Sequence, residues 1–333
     1  MEQQDILSMT LPELQAAVQE LGEPKFRAKQ IFNWLHQKRV TDFSEMTTLS
    51  LPFRERLASD FCINRLKIAK RLASSVDDTV KYLYELPDGN YVETVCMQYH
   101  HGTSLCISTQ VGCRMGCRFC ASAIAGFVRN LTPAEMLLQI YETERAQNCK
   151  ISSLVLMGIG EPLDNFDNVL RFLQLLSDPN GYGMSLRHVT VSTCGVVPKI
   201  LELAEQRLGL TLSVSLHCPN DAGRSAIMPI NRSYPIDVLL DACQTYFEKT
   251  GRRVTFEYAV MDQVNSAEQD AAALAERLKG LHAHVNLIPI NPVKERNFHT
   301  LKKTVLQFQK TLERYGIPAT IRRTPVSYTH LTL

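Results

Sequence analysis

The chain lacks the marks of a membrane or exported protein. No stretch of its 333 residues approaches ~20 uninterrupted apolar positions, so no helix is expected to span a bilayer. The opening Met1-Glu2-Gln3-Gln4-Asp5 has neither the basic start nor the apolar run of a signal peptide, and the cytoplasm is the expected compartment. Low-complexity sequence is absent too. With 45% hydrophobic and 21% charged residues, the composition excludes a disordered tail protein, a fibre and a disulfide-stapled miniature. Enough chain remains to bury a full core, as one large domain or one domain with an appendage. Ten cysteines in such a setting read as free thiols, metal ligands or catalysts rather than structural bridges.

Net charge is only +2, but its distribution is uneven. Residues 1–23 hold five acids and no Lys or Arg, whereas residues 24–71 hold eleven bases against four acids. That local excess of +7 fits either a phosphate-binding surface or a solvated helical face. Residues 1–60 read as short helices. Leu11-Pro12-Glu13 opens one, with Leu14, Val18 and Leu21 on a face that Gly22 ends, and Phe26, Ile31, Trp34 and Leu35 form a second apolar face. Lys81–Leu86 and Tyr91–Val95 flank Pro87-Asp88-Gly89-Asn90, a hairpin signal. The expected division is a helical, basic accessory domain over 1–75, a β-hairpin linker over 76–102 and a catalytic domain over 103–324.

From residue 103 the rhythm is strand, loop, helix. Strands are expected at 104–108, 153–157, 189–192, 211–216, 254–260 and 285–288. Helices are expected from Thr132, near 166–176, from Pro198, and near 235–248, 267–279 and 301–315. Six such units predict an α/β fold, a parallel sheet with helices outside, as a partial barrel. Active sites of these folds sit at the carboxyl ends of the strands. Those ends here are rich in glycine and polar groups: Gln110-Val111-Gly112-Cys113, Gly158-Ile159-Gly160-Glu161-Pro162, Ser192-Thr193, Ser215-Leu216-His217 and Pro289-Ile290-Asn291.

Cys113-Arg114-Met115-Gly116-Cys117-Arg118-Phe119-Cys120 is the decisive segment. Three thiols at C-x3-C-x2-C fall on one loop after the first of these strands. A tetrahedral structural zinc wants four protein ligands, and no fourth Cys or His stands at finger spacing. Three ligands suit a [4Fe–4S] cluster with one iron left open. Taken singly, Ser192 or Asn291 reads as a strand-end cap, His217 as a packed core histidine, Cys106 as a buried strand thiol and Glu93 as an exposed, paired strand residue.

The C-x3-C-x2-C pattern with Phe119 resembles the signature of radical S-adenosylmethionine (SAM) enzymes, whose fold is a partial (β/α)6 barrel. The whole chain is similar, over residues ~20 to 324, to the RlmN/Cfr family of radical SAM RNA methyltransferases. The likeness lies in Pro24–Phe32, Ser108–Cys113, Met157–Pro162, Ser213–His217, Met228–Asn231 and His284–Pro289. It implies methylation of an adenine ring carbon in 23S rRNA, at C2 in the RlmN branch, which also acts on some tRNAs, and at C8 in the Cfr branch, which confers antibiotic resistance. The Pro24–Gln30 segment leans to the C2 branch. The resemblance assigns Cys113, Cys117 and Cys120 to the cluster. Gly160, Glu161, Ser192, Ser215, Leu216, His217 and Asn291 are assigned to SAM, Glu93 to proton acceptance, and Cys106 to the thiol that releases a protein–RNA adduct by forming a disulfide. It further implies a flavodoxin- or ferredoxin-type electron donor and a monomeric protein. The remaining thiols, Cys62, Cys96, Cys149, Cys194, Cys218 and Cys243, are expected to be structural.

The resemblance also implies a methyl-carrying cysteine after the last strand, in a segment like D-I-D-A-A-C-G-Q-L. Here the likeness runs through Ala319–Thr324, residues 325–333 do not share it, and no cysteine follows Cys243. A truncated or foreign tail, and a chain defective in methyl transfer, are therefore expected. Other radical SAM chemistry (activation or thiolation) and a non-catalytic zinc or RNA-binding protein are the competing readings.

Overall fold

The computed structural model describes residues 3–100, 102–290 and 298–322. Its centre is a ten-stranded sheet whose strands lie side by side in chain order. They are β1 (Lys67–Ala73), β2 (Val80–Glu85), β3 (Tyr91–Tyr99), β4 (Gly102–Cys106), β5 (Ile151–Leu156), β6 (Val189–Thr193), β7 (Thr211–Ser215), β8 (Val254–Val260), β9 (Ala283–Pro289) and β10 (Ala319–Ile321). β1 to β4 pair antiparallel, and β4 to β10 pair parallel. This is the expected α/β architecture, with one more parallel strand, β10, than the sequence rhythm predicted. The other difference is β1. Lys67–Ala73 falls in the segment read as helical, yet it is an edge strand exposed over almost its whole length. Covered on neither face, it has no apolar alternation to reveal it, and its three cations suit an unpaired edge.

Three helices precede the sheet: α1 (Leu11–Glu20), α2 (Phe26–Asn33) and α3 (Leu51–Asp60). Seven follow within it: α4 (Pro133–Gln147), α5 (Phe166–Ser177), α6 (Val197–Glu205), α7 (Asp221–Ile227), α8 (Ile236–Thr250), α9 (Glu268–Leu278) and α10 (Lys302–Arg314). α4 begins with the expected capping box: Glu135 N–H donates to Thr132 Oγ1 at 3.2 Å, and Thr132 N–H to Glu135 Oε2 at 2.9 Å. α4 is buried on nearly every side, because the sheet covers one flank and the N-terminal segment the other. Ala134 N–H donates to Ser8 Oγ (3.1 Å), and His36 Nδ1 meets Tyr141 Oη at 2.9 Å. Phe26, read as part of an apolar face, is instead 58% exposed beneath the Arg27 guanidinium.

Paired strand residues share a face of the sheet. Val214, Phe256 and Leu287 turn outward into the main core under the helices. Their chain neighbours Ser213, Glu257 and Asn286, with Ser192, Ser215 and Thr320, turn to the inner face. Over β6 to β10 this inner face is rich in polar groups, while over β3 to β5 it carries a small apolar cluster of Val95, Met97 and Cys106 with Val155 and Met157.

Candidate active site

A small antiparallel hairpin, Gln110–Gly112 with Phe127–Asn130, frames the cysteine loop. Gly112 has φ +72°, and a Cβ there would lie 1.8 Å from Gly126 O, so only glycine lets the two arms approach. The loop is pinned by backbone bonds from Cys113 N–H to Gly126 O (2.9 Å) and from Arg118 N–H to Ile227 O (2.9 Å). Gln110, fully buried, joins it to the next motif: its Nε2 donates to Asn130 and Asp164 (2.8 Å each) and its Oε1 accepts from Glu161 N–H (2.9 Å).

A cavity of about 340 Å³ opens at this rim. Cys113, Cys117 and Cys120 line it together with Gly160, Glu161, Ser192, Ser215 and His217. The predicted residues thus divide. Leu216 is fully buried in the main core and offers only backbone there: its carbonyl accepts from Arg224 Nε at 3.1 Å. Glu93 and Cys106 sit on the inner face beside Val95 and are not among the lining residues, although Cys106 neighbours two that are, Met157 and Arg322. Lys81 Nζ holds Glu93 Oε2 at 2.6 Å. Asn291 and residues 325–333 lie outside the described residues.

The electrostatics follow from burial. The Glu161 carboxylate accepts from Leu163 N–H (3.0 Å) and Cys194 N–H (2.7 Å), tying β6 to the glycine-rich turn, while burial pushes its pKa up. His217 adopts φ +58°, and its Nδ1 accepts from Ala259 N–H at 2.9 Å. Its proton therefore sits on Nε2. Burial, then the charge of Arg224, lowers its pKa to about 3, and Phe119 packs edge-on at 4.8 Å. Burial, with the neighbouring thiols adding to it, raises Cys113 to about 11 and Cys117 to about 12. Burial raises Cys106 as well, opposed by the charges of Arg322 and Lys81.

Two further residues shape the site, Arg224 and Glu257. Arg224 is fully buried, and it donates to the carbonyls of Leu216, Cys194 (2.6 Å) and Ser215 (3.0 Å) and to Asn231 Oδ1 (2.9 Å). It clamps the ends of β6 and β7 and brings positive charge towards Cys117. Nothing in Asn220–Ile227 distinguishes it from a surface arginine. Glu257 lines the cavity, accepting from Ser213 Oγ at 2.6 Å and Asn286 Nδ2 at 2.8 Å. A carboxylate in the middle of the apolar strand Val254–Val260 was the signal that could have found it.

The donor set suits a cluster. Among the described residues no group of three or more His, Cys, Asp or Glu is arranged to hold a single metal ion. A cube takes one thiolate per iron, whereas zinc gathers its ligands about one point. Three crowded, half-buried thiols suit a multivalent cation, to which they bind as thiolates, and the loop supplies no acid to compete with them.

Comparison with known proteins agrees with this chemistry. Residues 4–63 match the family described as ribosomal RNA large subunit methyltransferase N-terminal domain, and residues 107–275 match the radical SAM superfamily. The chain is 50% identical, over 96% of its length and 90% of the relative's, to a probable dual-specificity RNA methyltransferase RlmN of Lachnoclostridium phytofermentans. A protein of the same description from Alkaliphilus oremlandii is 49% identical over 97% of this chain and 94% of its own. A crystal structure of a radical SAM methyltransferase from Sphaerobacter thermophilus superposes with TM-score 0.92 at 39% identity, covering 96% of this chain and 95% of that one.

Proposed function

The chain belongs to the RlmN family of radical SAM methyltransferases, and from that premise we propose that it methylates C2 of an adenine in 23S rRNA, and in tRNA, through a methyl-cysteine. The observation that supports this reading most is the single cavity uniting three loop cysteines with Gly160, Glu161, Ser192, Ser215 and His217. When bound and reduced, a [4Fe–4S] cluster supplies the electron that cleaves SAM.

The chain's own residues supply the rest. Cys113, Cys117 and Cys120 hold the cluster. The turn at Gly160–Glu161 offers backbone groups to the methionine part of SAM, and the Ser192 and Ser215 hydroxyls and the His217 Nε2–H face the same space. Asn291 completes this set, and Leu216 contributes by its backbone. Glu93 accepts the proton lost from the adenine, oriented by Lys81. Cys106, one strand away, is the thiol that releases the RNA. No cysteine follows Cys243 in residues 1–333, so the methyl-carrying thiol of this proposal has no candidate among them at the family's position. We place the enzyme in the cytoplasm as a monomer served by a flavodoxin- or ferredoxin-type donor.

The test is anaerobic reconstitution with iron and sulfide. Residues 1–333 should turn brown, bind iron through Cys117 and Cys120, and cleave SAM to 5′-deoxyadenosine once reduced. A variant with D-I-D-A-A-C-G-Q-L in place of residues 325–333 should move labelled methyl first to its new cysteine and then to adenine. Product at C8 would transfer the protein to the Cfr branch. Zinc without iron, or full iron in Cys117→Ala and Cys120→Ala, would overturn the reading.

A further inference from the structure

A second polar cavity, of about 740 Å³, plays no part in this chemistry. It lies in the seam between the N-terminal segment and α4. Lys38, Arg39 and Arg65 line it from one side, and Arg145 and Lys150 from the other. α4 starts beyond the carboxyl end of β4 and finishes before β5 begins, so this cavity opens at the rim opposite the reaction cavity. The separation is roughly 20 Å, the length of a short strand.

The acids around it are paired with protein groups, Glu144 Oε2 through its ion pair with Arg39 alone. Glu144 accepts from Ile151 N–H (2.6 Å) and Tyr182 Oη (2.8 Å) and pairs with Arg39. Glu142, behind the wall, pairs with Arg65 at 3.4 Å and with Arg145. Glu45 accepts from Thr41 N–H (2.7 Å) and Asp42 N–H (3.0 Å). The cations keep capacity, since a guanidinium has five N–H groups and an ammonium three. Arg39 Nε is buried with no hydrogen-bond partner. Arg39 also takes the left-handed backbone, φ +58°, where a non-glycine residue is strained, and its guanidinium lies over Tyr141 (5.3 Å) and Tyr182 (5.5 Å). Lys38 Nζ sits 3.3 Å from the centre of the Trp34 ring, and Lys150 is exposed.

We propose that this cleft binds a phosphate-class oxyanion, namely a backbone phosphodiester of the RNA, as a grip remote from the reacting base. The proposal rests on the RNA reading above. RNA short enough to end at the reaction cavity does not reach the cleft, whereas RNA that follows the flank of α4 does.

Cys149 is a built-in reporter, because its half-buried thiol lines the same cavity. The experiment labels the full chain with iodoacetamide and reads Cys149 by peptide mass, alone and with a full-length tRNA transcript, a short anticodon-arm hairpin or inorganic phosphate. The transcript should slow labelling of Cys149 several-fold while Cys62 labels at an unchanged rate, and the hairpin should have no effect. Independently, Lys38→Gln with Lys150→Gln should weaken transcript binding roughly three- to tenfold near 0.15 M salt and flatten the log–log salt slope by about 2, leaving hairpin binding unchanged. Protection by phosphate but not by the transcript would overturn the RNA assignment. An unchanged slope with unprotected Cys149 would overturn the site alone. A wild-type chain that binds no RNA at any salt would overturn the function and the site with it.

Discussion

The two faces of the central sheet obey different rules although they are built from the same strands. Facing the helices, Val214, Phe256 and Leu287 are at most 1% exposed and contribute area removed from water. One residue along, Ser213, Glu257 and Asn286 form a hydrogen-bonded row across β7, β8 and β9. In an eight-stranded barrel such inward positions are filled by branched apolar side chains. Here Val95, Met97 and Val155 keep that character only over β3 to β5, the row over β7 to β9 is polar, and beside it opens a cavity. The outer face decides whether the chain folds, and the inner face decides what it holds.

This contrast can be broken most severely from the outside. Phe256→Ala should cost about 3–5 kcal/mol by transfer loss and cavity formation. In urea the midpoint should drop, while folded protein keeps its SAM affinity; loss of SAM binding in a still-folded variant would show that the faces are not independent. Next comes Gly112→Ala, which adds a Cβ where Gly126 O already sits and demands a left-handed alanine. Overpacking typically costs roughly 1–3 kcal/mol, and the cysteine loop should shift enough to lower iron content after reconstitution. Full iron content would mean the hairpin has slack that its contacts do not suggest.

Glu257→Gln should sharpen the contrast in the opposite sense. Burial raises this carboxyl, so the folded state resists its ionisation, and the stability penalty grows as pH rises from about 4.5 through the raised folded pKa. Glutamine keeps an acceptor for Asn286 and a donor for Ser213 without the charge. The melting midpoint at pH 7–8 should therefore hold or rise while SAM affinity falls; a clear drop in midpoint would make Glu257 a structural anchor. His217→Gln gives the smallest effect and the opposite pH sense. With the folded pKa lowered to about 3, the neutral ring's stabilisation is full above pH ~6.5 and is lost progressively as pH falls. The variant should lose midpoint at pH 7.5 and show a shallower decline between pH 6.5 and 4.

Legibility in the sequence tracked the same division. Val254–Val260 and the capping box at Thr132 were readable because the apolar run and the cap are local. The cysteine spacing and Gly158–Pro162 were readable because their ligands lie on single loops. Arg224 was not, since its four acceptors come from three separated segments and exist only once β6 and β7 are side by side. The basic excess over residues 24–71 was visible but undivided. The fold sends Arg39 and Arg65 to acids of α4, Arg27 to Gln30 and Thr48, and Lys67, Lys70 and Arg71 to an exposed edge. Net charge along a chain does not say which cations end beside carboxylates.

Strands laid down in chain order have a consequence for synthesis. A chain emerging from the ribosome amino end first can add each strand to the free edge of those before it, with no gap held open for a later arrival. Each helix closes over the newest pair, so contacts stay near in sequence and loop closure stays cheap. The inner row reaches its full width only when Thr320 arrives beside Asn286. A nascent chain would thus expose its N-terminal cations while translation of the cavity's last wall is still under way.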